Sequence, residues 1–174
     1  KKTVLDDDLV NKFVSQVKDS FDTKYHGFSN RPKFPHASKI ETLLDIYTIS
    51  KNKEILDIAT KTLKSMANGG IYDQIEGGFY RYSVDKMWMI PHFEKMLYTN
   101  AELLSVYSKA YKITNDIFYK NIVDEIISFV DERFNKNNLF YSASDADSLL
   151  HSKKEEGVYF VFVYDEVYEF LKEK

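Results

Sequence analysis

The chain has 174 residues, of which 44% are hydrophobic, 29% charged and 16% aromatic, values of a globular chain able to bury one ordinary core. A net charge of −3 gives no footprint for nucleic acid or an anionic membrane, and no apolar run reaches the length of a bilayer span. With no cysteine, the chain has no disulfide, zinc–thiolate or thiol redox chemistry, which fits a reducing cytoplasm.

Helical spacing dominates the pattern. Val10, Phe13, Val14, Val17 and Phe21 recur at three and four, which predicts an amphipathic helix over about Asp7–Ser20. Ser38–Ser50 and Glu54–Asn68 form a second helical pair broken at Lys51-Asn52-Lys53, and Asn68-Gly69-Gly70 is a helix stop. A long helix is predicted from Pro91 to Lys112, because proline suits a first helical turn. Ile117–Phe134 follows as its antiparallel return, and Asp165–Lys174 also reads as helical. Between the helices, Gly27-Phe28, Gly78-Phe79-Tyr80, Leu139-Phe140-Tyr141 and Gly157-Val158-Tyr159 suit short extended turns. The first three stand on the order of 50–60 residues apart, the spacing of a helical-hairpin repeat.

The expected fold is therefore all-α, a partial α/α toroid of about three helical hairpins with short β-turn elements. A closed six-hairpin toroid needs roughly twice this length. The chain starts at Lys1 and stops within a helical pattern, so residues 1–174 read as a fragment of one such domain, with the remaining hairpins elsewhere. An open arc exposes the flanks of its end hairpins, so self-association is expected.

Gly69–Ala101 is the densest stretch in chemistry. It holds four of the six glycines, the only tryptophan and many titratable and aromatic groups. His92, placed in the first turn of the Pro91 helix, would stay neutral beside unpaired N–H groups and serve as a general base. Its bland reading is a structural histidine packed on Trp88 or Tyr82. On the same stripe lie Lys95 and Thr99, while Asn100 one turn on can bond a sugar hydroxyl or a neighbouring helix. Asp73, Arg81, Tyr82, Trp88 and Glu94 combine rings with charged groups, the chemistry of carbohydrate recognition. The bland reading is an aromatic plug with Arg81 paired to Asp73 or Asp85. Lys33, in Arg31-Pro32-Lys33-Phe34-Pro35, can reach the same mouth, or the prolines only set the entry angle. Asp145 and Asp147 are candidate acids or hydroxyl-binding groups, against a plain role as turn formers. As a calcium loop the run fails, since Leu149 and Leu150 occupy a ligand position and the required glycine. No metal and no cofactor is expected.

The stretch GGIYDQIEGGFYRYSVDKMWMIPHFEKMLYTNA, with RPKFP upstream and YSASDADS downstream, resembles a widespread uncharacterised family that includes a vertebrate spermatogenesis-associated protein. The likeness runs from about Tyr25 to Phe170. It implies an N-terminal thioredoxin-like domain, absent here, followed by the toroid domain to which this chain belongs. Trp88, Pro91, His92, Phe93, Glu94, Lys95, Asn100, Asp145 and Asp147 match its pattern, whereas Glu76 and Thr99 depart from it, as does the insertion Leu149–Lys154. The family's toroid is similar to those of N-acylglucosamine 2-epimerases, cellobiose epimerases and six-hairpin glycosidases, an analogy at fold level. Two functions follow as expectations. One is binding or 2-epimerisation/isomerisation of a small carbohydrate, with His92 moving the proton. The other is a non-catalytic scaffold for ligands, proteins or the thioredoxin-like domain of the same parent. Full pairing of Arg81 and His92 with protein carboxylates would favour the scaffold, and an open pocket lined by Trp88, His92 and Asp145 would favour carbohydrate binding.

Overall fold

The computed structural model describes residues 7–29, 31–150 and 152–172. Among them run helices α1 (Asp7–Ser20), α2 (Ala37–Ser50), α3 (Lys53–Ala67), α4 (Leu97–Thr114), α5 (Ile117–Phe129) and α6 (Tyr164–Lys172). Glu173 and Lys174, the expected end of the last helix, lie outside the described residues. No helix of the described residues is long and apolar enough to cross a membrane.

Both complete hairpins are closed by the same two-residue device. Lys51 and Asn115 end α2 and α4 in the left-handed region, each donating its N–H to the carbonyl four residues back. Asn52 and Asp116 then cap α3 and α5, their side-chain oxygens accepting from Glu54 N–H and Phe118 N–H. Such caps contribute about 1 kcal/mol each. The repeat expected from the spacing is thus visible at the level of hydrogen bonds.

Helix α4 packs on both α5 and α2. Helices α2 and α4 run parallel: Ala37 and Ser38 border the same hollow as Tyr98 and Glu102, and Tyr47 and Lys51 border another with Lys112 and Ile113. Leu43 and Leu44 of α2, Leu63 and Met66 of α3, Leu103 and Tyr107 of α4, and Ile126 of α5 are wholly buried between them. Each such side chain contributes about 1.5–3 kcal/mol. The tight turns sit at one end of this layer. At the other end lie the N-termini of α2 and α4, with the long connections 68–96 and 130–163.

Those connections carry short antiparallel strand pairs. β1 (Tyr82–Ser83) pairs with β2 (Pro91–His92), and β3 (Lys95–Met96) pairs with β6 (Ala143–Ser144). β4 (Asn135–Lys136) pairs with β5 (Leu139–Phe140), and β7 (Asp147–Leu150) with β8 (Lys153–Glu156). Val158–Phe160 forms a 3₁₀ turn before α6.

Two helix boundaries differ from the expectation. Residues 91–96 are extended, so α4 begins at Leu97 and the helical stripe of His92, Lys95 and Thr99 does not form. The backbone of 91–96 is committed to Tyr82–Ser83 on one side and Ala143–Ser144 on the other, so it cannot enter a helical ladder. The helix-dipole argument for a neutral His92 therefore lapses. Regular α5 ends at Phe129, and residues 130–134 widen into one π turn whose bond runs from Asn135 N–H to Val130 O. Gly78 accommodates this region. Its φ is +76°, and a Cβ there would strike the Phe129 ring.

Candidate functional site

Five of the expected site residues lie inside the protein, each satisfied by internal partners. Lys33 is 0% exposed and donates to Asp22 Oδ2 at 2.8 Å and Lys86 O at 2.9 Å, so it does not reach the mouth. Trp88 is 1% exposed, its Nε1–H directed at Tyr25 O at 3.0 Å, and shapes the core rather than an open pocket. Lys95 donates to Asp73 Oδ2 at 2.8 Å and Gly77 O at 3.0 Å, with its ammonium 4.3 Å from the Phe129 ring centre and 4.8 Å from that of Tyr80. Burial pushes the Lys95 pKa down, against the pull of Asp73. Asp73 also accepts from Tyr80 Oη–H and from the N–H groups of Ile75 and Glu76. Burial pushes its carboxyl up, but those hydrogen bonds, with Lys95 first, hold it below the usual carboxylate range. Asn100, wholly buried, accepts from Phe79 N–H and donates to Phe79 O and Met96 O. It clamps the long loop onto α4 and has no group left for a sugar.

The accessible residues gather at the loop end of the helices. Tyr82 and His92 are register partners across β1–β2, and their rings stack at 4.9 Å with an interplanar angle of 18°. Phe34 lies 5.0 Å from Tyr82 and extends the aromatic surface. Arg81 is bound to Glu94 twice, by its N–H to Glu94 O at 2.8 Å and by Nη1 to Glu94 Oε2 at 2.9 Å. The Glu94 hydrogen bond raises the Arg81 pKa further, and Tyr98 adds to it. His92 Nδ1 is 2.7 Å from Glu156 Oε1, and His92 Nε2 is 3.9 Å from Glu94 Oε2. Beside Arg81, a hollow of about 210 Å³ opens between the N-termini of α2 and α4, lined by Phe34, His36, Ser38, Tyr98 and Glu102.

Asp145 and Asp147 are exposed and border a separate hollow of about 310 Å³ with Lys95, Arg133, Tyr159 and Phe160. Asp145 accepts from Asp147 N–H at 3.2 Å and stands 3.5 Å from Lys154. Neither carboxylate contacts His92. The link is indirect, through the register partner of Asp147, which is Glu156. Sequence reasoning named Glu156 only as the twelfth position of the rejected calcium loop, and passed over Tyr98, Glu102 and His36. The first touches His92 across 64 residues of chain, a contact no local pattern encodes.

Comparison with known proteins puts these observations in context. No protein-family model matches the chain. It is 39% identical over 170 residues to mouse spermatogenesis-associated protein 20, covering 94% of this chain and 22% of that protein. The human protein of the same name is 39% identical over 171 residues, with the same coverage. The chain thus spans about a fifth of the length of the curated relatives it matches. Among solved structures, a cellobiose 2-epimerase from Bacillus thermoamylovorans superposes with a TM-score of 0.67 at 13% identity, over 80% of this chain and 42% of that one. A sugar epimerase from a ruminal bacterium gives 0.66 at 16% identity, over 79% and 40%. A GH76 α-mannanase from Bacteroides thetaiotaomicron gives 0.63 at 21% identity, over 85% and 44%. These identities establish the fold alone, an arc of an α/α toroid. The chain is a homologue of a segment of the spermatogenesis-associated protein 20 sequences, folded as part of an α/α toroid.

Proposed function

We propose that the face formed by Arg81, Tyr82, His92 and Glu94 binds a small carbohydrate and that His92 transfers a proton to and from it, as in epimerisation or aldose–ketose isomerisation. The observation that carries this reading is the state of His92. Its ring is stacked and anchored through Nδ1, while Nε2 has no hydrogen bond among the described residues. Tyr82 and Phe34 offer apolar ring surface to sugar C–H groups, and the Arg81–Glu94 pair offers donors and acceptors to hydroxyls. In the step itself, Nε2 takes the proton from the carbon beside the sugar carbonyl, and the electron pair stays on the sugar as an enolate. Return of that proton by His92 to the carbon it left restores the starting sugar, and delivery to the former carbonyl carbon on the same face gives the ketose. An epimer needs a second proton-transfer group on the opposite face, beyond these four residues. Asp145 and Asp147 border a separate hollow and supply hydroxyl contacts only to a ligand that also reaches it.

Glu94 pairs with Arg81, Glu102 borders the same hollow and Glu156 pairs with His92, so these carboxylates outnumber the one guanidinium and the face disfavours anions. Uncharged mono- and disaccharides are expected to bind, and their phosphorylated or uronic counterparts at least about tenfold more weakly, a difference of about 1.4 kcal/mol. Saturation-transfer NMR with matched neutral and anionic sugars checks this. His92→Ala should weaken the neutral-sugar signal. Equal signals from both classes, or from wild type and variant, would contradict the site.

A second reading has its own observation. Arg81 and His92 both pair with protein carboxylates, and five other candidates are locked internally, which suits a scaffold binding a thioredoxin-like domain or another ligand. The absence of sugar binding in the same experiment would move this reading ahead.

A further inference from the structure

We infer that Glu156 is a positioning residue that selects the nitrogen of His92 presented to substrate. It deepens the proton-transfer reading above and rests on it for its functional consequence, though not for its structural test. An ionised carboxylate has no proton to give, so the 2.7 Å contact between Glu156 Oε1 and His92 Nδ1 requires the proton to sit on Nδ1. In the neutral ring the lone pair is then on Nε2, which points away from Glu156 toward the Arg81–Glu94 side.

The ring is held from two directions. Tyr82 covers one face at 4.9 Å, and Glu156 fixes rotation about the ring axis. Glu156 is itself pinned. It pairs in register with Asp147, its Oε1 lies 3.4 Å from Phe93 N, and the next residue bonds Gly157 N–H to Ala146 O at 2.9 Å. Gly157 turns at φ +76° against the Phe93 ring, which leaves no room for a Cβ. The backbone behind Glu156 is thus set by packing, not by the ion pair.

An ordinary surface pair contributes about 0–1 kcal/mol and does nothing else. The geometry at Nε2 separates this pair from that case. The 3.9 Å between Nε2 and Glu94 Oε2 is too long for a direct hydrogen bond. A substrate hydroxyl placed between them has one proton, which it donates to Glu94 Oε2, and the Nε2 lone pair stays free for the neighbouring carbon-bound proton. A carboxylate behind Nδ1 also stabilises the imidazolium that forms when Nε2 takes a proton, as orienting carboxylates do in other histidine sites.

The test is a long-range proton–nitrogen correlation spectrum of the protein with ¹⁵N-labelled histidine, at a pH where the ring is neutral. The chain has four histidines, so His92→Ala identifies the His92 signals by their loss. In the wild type the proton should reside on Nδ1. Glu156→Gln keeps an acceptor oxygen and should retain that tautomer, while Glu156→Ala should shift the proton toward Nε2. A wild-type ring protonated on Nε2, or a tautomer unchanged in Glu156→Ala, overturns the inference. Glu156 is half exposed at its side chain, so circular dichroism of the variant should match the wild type. In the same samples, sugar C2 exchange should fall about 10–100-fold in Glu156→Ala and recover in part in Glu156→Gln. A shifted tautomer with no exchange in any sample leaves the positioning role standing and removes the proton-transfer reading.

Discussion

Replacing Lys95 with methionine should lower the unfolding free energy by about 3–5 kcal/mol, read from the urea midpoint at constant slope. Methionine fills much of the lysine volume among Tyr80, Phe129 and Phe160, so the loss comes from charge rather than from a cavity. Asp73 would remain in the interior without its cation, still ionised by the N–H groups of Ile75 and Glu76. The double variant Lys95→Met, Asp73→Asn should recover a large part of the loss, because removing both charges also removes the desolvation penalty. The pair has a pH signature with a definite sign. The Asp73 pKa is depressed in the native protein, so its stabilisation is complete above the unfolded carboxylate value of about 3.9 and is lost as pH falls through the depressed native value. That acid-induced loss should shrink in Lys95→Met. A cost below about 1 kcal/mol would mean that Lys95 is exposed and free to meet a ligand.

Trp88→Ala should cost about 3–5 kcal/mol, comparable to the most damaging large-to-small core substitutions. The indole is the largest of the fully buried side chains, and it joins parts of the chain far apart in sequence. Its N–H bonds to Tyr25 O, the Lys33 ammonium lies 5.2 Å from its ring centre, and a Cβ at Gly27 would collide with it. Losing the ring opens a cavity between Tyr25–Gly27 and the long loop, and thermal melting should drop accordingly. Were Trp88 a wall of the ligand site, the variant would keep its melting temperature and lose sugar affinity alone.

These two residues also show where sequence reasoning stops. The helices were legible because core-facing residues such as Leu43, Leu44, Leu103 and Tyr107 repeat at three and four, and because Lys51-Asn52 and Asn115-Asp116 break that repeat. The start of α4 was not. Pro91 fits a first helical turn and an edge strand equally well, and its partner in Ser83 and the Ala143–Ser144 partner of β3 lie elsewhere in the chain. The Gly69–Ala101 stretch was singled out for its density of glycines, rings and charges. Composition cannot say which of its charges are buried, however. Lys33, Asp73, Lys95 and Asn100 look like binding groups in one dimension and are internal struts in three. His92, Arg81, Tyr82 and Glu94 were named from the same stretch and do share one exposed face. Glu156, the residue that orients the histidine, is supplied by a hairpin far down the chain, and only folding brings it there.

The most direct measurement is proton NMR in D₂O of the protein with a panel of uncharged mono- and disaccharides, run beside His92→Ala. Deuterium entering sugar C2 with the wild type, and not with a folded His92→Ala, is the expected result. No exchange across the panel by a folded wild-type protein would contradict proton transfer at His92.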